Sequence, residues 1–388
     1  MKIKLMNKIS PIGTDLFDRS KYEVGENVED PDAMLVRSAA LHDMEFGDGL
    51  LAIARAGAGV NNIPIDRCTG NGIVVFNTPG ANSNGVKELV LSALIFSSRN
   101  VIAANKWVEE QKDNCPDVAK AVEKGKGQFS GHEIQGKTLG VIGLGAIGRL
   151  VANTAVDLGM NVIGFDKFIT VDSAWSLSRS VIKASSNEEI FKKCDYITVH
   201  VPLTPETENM INKESIAMMK DGVRIMNFAR AGLVNAADMK EALDSGKVAI
   251  YVTDFPTEET LGHNGIINIP HLGATTEESE DNCAKMASRQ IIDYLETGNI
   301  KNSVNFPDVE MAHNGGCRIC LLHRNIPNVL AKISSTVSEL GINIENMSNR
   351  SKKDVAYTIV EIIDSEIPES SLEKLRTIDG MIRINVIK

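Results

Sequence analysis

Thr138-Leu-Gly-Val-Ile-Gly143-Leu-Gly145-Ala-Ile-Gly148-Arg-Leu-Val-Ala152 decides the fold. An apolar run of strand character, Thr138–Ile142, enters Gly143-x-Gly145-x-x-Gly148, and Ile147 to Leu158 reads as a helix. A second strand, Asn161–Asp166, follows, and its closing acid lies 23 positions after Gly143. Each glycine answers a different physical need. Gly143 makes the tight turn, Gly145 lets backbone approach a pyrophosphate, and Gly148 lets helix pack closely on strand. The helix start, with Ala146 and Ile147, offers free N–H groups and a partial positive charge to phosphates. The pattern predicts a Rossmann-type dinucleotide site. Asp166 would accept from the adenosine ribose hydroxyls and repel a 2′-phosphate, which favours NAD over NADP.

Strand and helix patterns alternate on both sides of this stretch, the signature of parallel α/β sheets. Before it come strands Ile3–Met6, Met34–Arg37, Leu51–Ala54 and Val74–Phe76, then a helix from Ser83 to Lys106. A polar, Lys- and Gly-rich loop, Lys112 to Gly136, leads into Thr138. After it come strands Tyr196–Val201, Val223–Asn227, Ile250–Asp254 and Ile266–Pro270, and a long helix Thr276–Gly298. Glu277, Glu278, Glu280 and Asp281 crowd that helix's first turns, where acids complement the helix dipole. Asn305 to Gly316 has linker composition. Strand Cys317–His323, helix Asn328–Leu340, strands Ile342–Ser348 and Ala356–Ile363, helix Glu369–Thr377 and strand Met381–Val386 then spell βαββαβ, a ferredoxin-like unit.

A chain of 388 residues holds two or three domains. Its net charge of −10 argues against a nucleic-acid partner, and the basic run Lys120 to Lys126 reads as a solvated loop. No apolar run of about 20 residues is present, nor a signal-peptide pattern near Met1, so a cytoplasmic protein with no membrane partner is expected. Six thinly spread cysteines suit a reducing compartment. Cys317 and Cys320 form a CxxC without a second pair or a histidine cluster, and strand positions i and i+3 face opposite sides, so they read as buried thiols and no metal is expected.

Four ordered motifs carry a family likeness: Phe129 to Gly145, His200-Val-Pro-Leu-Thr-Pro-Glu-Thr207, Met226-Asn-Phe-Ala-Arg-Ala-Gly232 and Pro270-His-Leu-Gly273. From about residue 35 to 306 the chain resembles the D-isomer-specific 2-hydroxyacid dehydrogenases. The resemblance implies a Rossmann-type NAD domain, residues 105–276, inserted in a flavodoxin-like substrate domain, residues 1–104 and 277–305, with catalysis in the cleft between them. It makes Arg230 the group that holds the substrate carboxylate, a role that suits a planar two-pronged cation. His271 becomes the acid–base, since imidazole titrates nearest neutrality. The partner of His271 is Glu259 by counting five from Asp254, or Glu258 by matching the letters Phe-Pro-Thr-Glu; Glu259 is preferred, and a carboxylate beside His271 would raise its pKa. Asp254 would accept from the nicotinamide carboxamide, and Pro202, Thr207, Phe228, Ala229 and Gly273 complete the nucleotide-contacting set.

The substrate is narrowed by further likenesses. Arg55-Ala-Gly-Ala58-Gly59-Val-Asn-Asn-Ile63 resembles the family's anion-binding loop, whose glycines expose backbone N–H groups. Arg37-Ser38 and Asn105 resemble substrate-contacting residues of the phosphoglycerate-oxidising branch. Beyond a linker at 306–315, residues 316–388 resemble the ACT regulatory domain of that branch, in which His323, Asn325 and Asn343 would hold a serine effector across a contact between two copies. The implied activity is oxidation of 3-phosphoglycerate to 3-phosphohydroxypyruvate, the first step of serine synthesis, by a homodimer or homotetramer. The competing readings are a hydroxypyruvate, glyoxylate or D-lactate reductase, and a non-enzymatic NAD(H)-sensing scaffold. Arg37 and the C-terminal unit argue against the first, and retention of Arg230 and His271 against the second.

Overall fold

The computed structural model describes residues 1–114, 116–313, 315–363 and 366–388. Two compact units divide it: Met1–Asn82 with Glu277–Lys388, and Ser83–Thr276. The division falls at Ser83 rather than at 104/105, because helix Ser83–Arg99 buries Val86, Val90, Ala93 and Leu94 in the core that holds Leu139, Val141 and Val151.

In the first unit, β1 (Lys2–Leu5), β2 (Glu23–Gly25), β3 (Ala33–Val36), β4 (Ala52–Arg55) and β5 (Val74–Phe76) form a parallel sheet in the order β2-β1-β3-β4-β5. That is the flavodoxin-like order expected. β3 reads AMLV and is buried throughout, as a strand covered on both faces must be. Helix Glu277–Thr297 returns to this sheet and lays Ala284, Ala287 and Ile291 against the side chains of Ala52 and Ala54, small residues that let helix and sheet approach.

In the second unit, β6 (Thr138–Ile142), β7 (Asn161–Phe165), β8 (Ile182–Lys183), β9 (Tyr196–Val199), β10 (Val223–Asn227), β11 (Val248–Thr253) and β12 (Ile266–Asn268) are parallel, in the order β12-β11-β10-β9-β6-β7-β8. Strand order reverses between β6 and β9. Open α/β sheets bind ligands beyond the strand ends at such a point.

The remaining segment, within the first unit, is βαββαβ: β13 (Cys317–Arg324), helix Val329–Glu339, β14 (Ile344–Lys352), β15 (Val355–Ile362), helix Glu369–Arg376 and β16 (Met381–Ile387). Its antiparallel order, β14-β15-β13-β16, is ferredoxin-like. Cys317 packs with Ile319, Ile333 and Leu375 under the helices, whereas Cys320 joins Leu322 and Tyr357 on the opposite face, against Tyr294 and Leu295. The two thiols are therefore buried on opposite sides of one strand.

Several local expectations differ from the structure. Helix Ser83 to Lys106 breaks at Asn100, whose φ of 48° leaves the helical region, and resumes as Val101–Asn114. The Lys112 to Gly136 stretch contains a helix, Val118–Gly125, whose N-cap Asp117 accepts from the Lys120 N–H at 3.0 Å. It buries no side chain, so no core-facing stripe announced it. Among the described residues no helix is long and apolar enough to cross a membrane.

Candidate active site

The glycine-rich turn has the geometry its letters imply. Gly143 adopts φ 90°, and a Cβ there would lie 2.6 Å from the His200 carbonyl oxygen on the neighbouring strand end. A Cβ at Gly148 would collide with the Gly143 carbonyl, whereas one at Gly145 would meet nothing within 4 Å. Gly145 thus leaves open space above the turn in which a ligand's phosphates can approach the backbone, and helix Gly148–Asp157 starts just behind it with Ile147 as N-cap and Ala146 in the turn. Asp166 closes the cradle: its carboxylate accepts from the Leu144 N–H at 2.8 Å and the Phe168 N–H at 2.7 Å. The carboxylate that meets the ribose in the expected scheme is also the one that shapes the turn. Across the switch point, the Thr207 hydroxyl donates to the Pro202 carbonyl at 2.6 Å and fixes the 202–207 loop.

At the end of β10, Asn227 is fully buried and brackets the next turn. Its amide donates to the Arg230 carbonyl at 2.8 Å while its Oδ1 accepts from the Ala229 N–H at 3.1 Å. Phe228 is buried beside it. The turn leaves Arg230 exposed, its guanidinium 5.8 Å over the Phe255 ring and donating to the Ala229 carbonyl at 2.6 Å. Ala231 opens a short 3-10 turn, Ala231–Leu233. His271 stacks on the same Phe255 from the other side of the sequence, with ring centroids 4.6 Å apart. Phe255 therefore aligns the cation and the imidazole. Nothing in the sequence marked it beyond its place after Asp254.

Asp254 directly follows β11 and is 1% exposed. Burial pushes its carboxyl up to about 6, although the N–H groups of Asp254 and Gly273 and the Arg230 charge act the other way. Its Oδ1 has no hydrogen-bond partner. A buried acceptor without a donor costs free energy unless a ligand supplies one. The carboxamide NH₂ of a nicotinamide is such a donor, and Gly273, beside Val86 and Asp254, leaves room at that point. The bare Gly145 cradle and the orphaned Asp254 oxygen together fit NAD.

The carboxylate expected at His271 is not in place. Glu258 and Glu259 are exposed, and among the described residues no carboxylate lies within ion-pair distance of His271. Glu259 lines a cavity of about 380 Å³ with Gly232, Asn235, Tyr251 and Phe255. In consequence His271 is shifted down, by burial first and by Arg230 second, the reverse of the expected rise.

In the first unit, the loops after β3 and β4 come together. Asn7, unmarked by any motif, gathers the N–H groups of Arg37, Ser38 and Ala39 on its Oδ1 at 3.1, 3.1 and 2.9 Å. The Arg55 guanidinium donates to the carbonyls of Arg37, at 3.0 Å, and Gly59, while Asn77 donates to the Ala58 carbonyl at 2.6 Å. Arg55, quoted only as the start of the loop, thus holds its shape. Arg37 pairs with Glu280. Asn105 belongs to the second unit, exposed on helix Val101–Asn114.

The three effector candidates differ. His323 is 2% exposed, with Nδ1 at 2.8 Å from the Arg324 carbonyl and Nε2 at 2.9 Å from the Thr358 hydroxyl, so both ring nitrogens are used inside the sheet. Asn325 is exposed and donates to the Lys353 carbonyl at 3.0 Å, and Asn343 is exposed. Asn328 sits at φ 69° at the start of helix Val329–Glu339 and makes no side-chain cap. Glycine adopts that left-handed backbone without strain, and asparagine is among the side chains that tolerate it.

Residues 91–276 match the family described as D-isomer specific 2-hydroxyacid dehydrogenase, NAD binding domain, which bears out NAD as the cofactor. The chain is 34% identical over 327 residues to the D-3-phosphoglycerate dehydrogenase of Methanocaldococcus jannaschii, covering 81% of this chain and 59% of that one. It is 30% identical over 356 residues to the Haemophilus influenzae D-3-phosphoglycerate dehydrogenase, covering 89% and 83%. The NAD⁺-bound 3-phosphoglycerate dehydrogenase of Entamoeba histolytica superposes with a TM-score of 0.60 at 28% identity, covering 79% of this chain and 98% of that one. The chain spans little more than half the length of several of these curated relatives, 57% for that of Bacillus subtilis. From the nucleotide cradle, the Arg230–Phe255–His271 arrangement and these matches, the chain belongs to the D-isomer specific 2-hydroxyacid dehydrogenase family.

Proposed function

We propose that the protein is an NAD-dependent D-3-phosphoglycerate dehydrogenase that oxidises 3-phospho-D-glycerate to 3-phosphohydroxypyruvate at the entry to serine synthesis. The observation that carries the reading is the 30% identity over 89% of this chain and 83% of the Haemophilus influenzae D-3-phosphoglycerate dehydrogenase, in a chain that keeps Arg37 and Arg55 in one unit and the Arg230–Phe255–His271 arrangement in the other. A monoanionic hydroxy acid needs one arginine; a phosphate dianion can take a second, and Arg37 is the one whose guanidinium is not committed to backbone carbonyls.

Arg230 holds the substrate carboxylate in a forked contact, steadied over Phe255. His271, held low by burial and Arg230, is mostly neutral near pH 7 and takes the proton of the C2 hydroxyl. NAD, when bound, supplies the acceptor for the hydrogen on C2 and its electron pair, so the carbinol becomes a ketone and the proton stays on His271. Asp254 fixes the carboxamide end of the cofactor and Asp166 the ribose end. Glu259 joins His271 only if its loop moves, and it then stabilises the imidazolium formed.

Residues 316–388 act as an ACT regulatory domain, with Asn325 and Asn343 offering amides to serine and a second copy completing the pocket; a homo-oligomer in the cytoplasm follows. The test is NADH formation with 3-phospho-D-glycerate, D-glycerate and D-lactate, and NADH consumption with hydroxypyruvate, each with and without L-serine. 3-Phospho-D-glycerate should have the highest kcat/KM, and serine should change it several-fold, since effector coupling is about 1–3 kcal/mol. Preference for D-lactate or hydroxypyruvate would sink the substrate assignment. A serine response absent at millimolar concentration would sink the regulatory one.

A further inference from the structure

The Arg37 guanidinium is not waiting free. Its Nη2 contacts Glu280 Oε1, at the start of helix Glu277–Thr297, and the two side chains are 43% and 39% exposed. Arg55 is behind it, half-buried and committed to the Arg37 and Gly59 carbonyls. Cys283, a thiol at this spot that meets the Thr78 hydroxyl, is buried, and burial raises it, so it stays uncharged. The local charges are two guanidinium groups and one carboxylate. Glu280 is also the one among the first-turn acids that turns inward. Asp281 is held by Ser10, and Glu277 and Glu278 are not paired with Arg37 or Arg55.

A carboxylate on a guanidinium occupies the position that an anionic ligand oxygen would take. The helix dipole does not require it there, because three neighbouring acids, Glu277, Glu278 and Asp281, already serve that end. The exposed geometry keeps the pair weak enough to open, since a partly solvated ion pair contributes little.

We propose that Glu280 is the specificity-setting counterion of Arg37: it fills the guanidinium until a second anionic group of the substrate displaces it, and so sets the preference for doubly over singly anionic hydroxy acids. This rests on the phosphoglycerate reading of the same loop. A substrate without a second anion leaves the Arg37–Glu280 pair closed. A phosphorylated one exchanges a carboxylate for a phosphate on Arg37, and its net affinity is the difference.

Steady-state kinetics of Glu280→Gln, Arg37→Gln and the double variant test this, with 3-phospho-D-glycerate and D-glycerate as substrates. Glu280→Gln should lower KM for 3-phospho-D-glycerate about three- to five-fold, the upper range of a half-exposed ion pair, and shift KM for D-glycerate less than about two-fold. In the Arg37→Gln background the same change should have no effect on either KM. An unchanged or raised KM for the phosphorylated substrate, or equal changes for both substrates, overturns the proposal. Calorimetric titration with inorganic phosphate reads the same exchange without turnover: Glu280→Gln should bind it more tightly than wild type, and equal affinity is refuting. If the wild type binds phosphate through Arg37 yet does not oxidise 3-phospho-D-glycerate, the function assignment fails while the counterion role stands.

Discussion

Replacing Asp254 by Asn removes a carboxyl that is almost fully buried and pushed up to about 6 from 3.8. One pKa step corresponds to ~1.36 kcal/mol, so keeping this group ionised in the folded protein costs ~3 kcal/mol. The folded state binds the proton more tightly than the unfolded chain. The cost is therefore absent below about pH 4, grows between about 4 and 6, and is complete above that window. Roughly half is already present at pH 5 by the same linkage, leaving ~1 kcal/mol to appear between pH 5 and pH 8. Asn is nearly the same shape and does not titrate. Urea unfolding of wild type and Asp254→Asn at the two pH values, followed by circular dichroism, should show the variant gaining on wild type by about that amount at the higher pH. NAD affinity should move oppositely. Wild type should bind NAD more weakly as the pH falls through 6, because a protonated Oδ1 is a poorer acceptor for the carboxamide, and the variant should show no such slope. A stability difference that is flat with pH would refute the claim that burial strains this carboxyl. An NAD affinity equally pH-dependent in both proteins would refute the claim that its orphaned oxygen is the cofactor's acceptor.

His271→Asn should lower kcat by about 10² to 10⁴ while calorimetry shows NAD still bound, because the acid–base group is lost and the cradle is not. Asp166→Ala should narrow the preference for NAD over NADP in kcat/KM. It should also weaken both cofactors, since the Leu144 N–H loses its acceptor. Arg318→Met should destabilise the first unit by about 3–5 kcal/mol in thermal or urea unfolding. Arg318 and Glu361 are a fully buried pair, and Arg318 also donates to the carbonyls of Thr297, Met311 and Ala312. Arg318→Met/Glu361→Met should recover much of that loss.

What could be read from the sequence was local or paired with a motif. The Gly143–Gly148 turn declares itself because each glycine answers a contact within a few residues or on the adjacent strand end. The inner strands of the sheets were legible because strands such as AMLV at Ala33–Val36 are apolar throughout, whereas the short edge strands β2 (Glu23–Gly25) and β8 (Ile182–Lys183) bury no side chain and were not. Asn7, Asn227 and Phe255 were not legible, because they gather backbone or align rings contributed by other loops. Glu280 was read as a helix-dipole acid, a role any first-turn acid fills, and only the fold brings it to Arg37, 243 positions away. Arg318 lay in a strand scanned for its cysteines, and the partner that lets it be buried lies on β15. His323 was read by likeness as a ligand group, whereas strand alternation places it inside the sheet with Thr358.

The central claim is a stereospecific hydride-transfer site in which Arg230 and His271 present one face of a 2-hydroxy acid to NAD. NADH formation from the separate D and L enantiomers of 3-phosphoglycerate, at saturating NAD and equal concentration, tests it directly. The D enantiomer should be oxidised and the L enantiomer should give no rate above background. Equal rates with both, or no NADH from the D enantiomer, would contradict the claim.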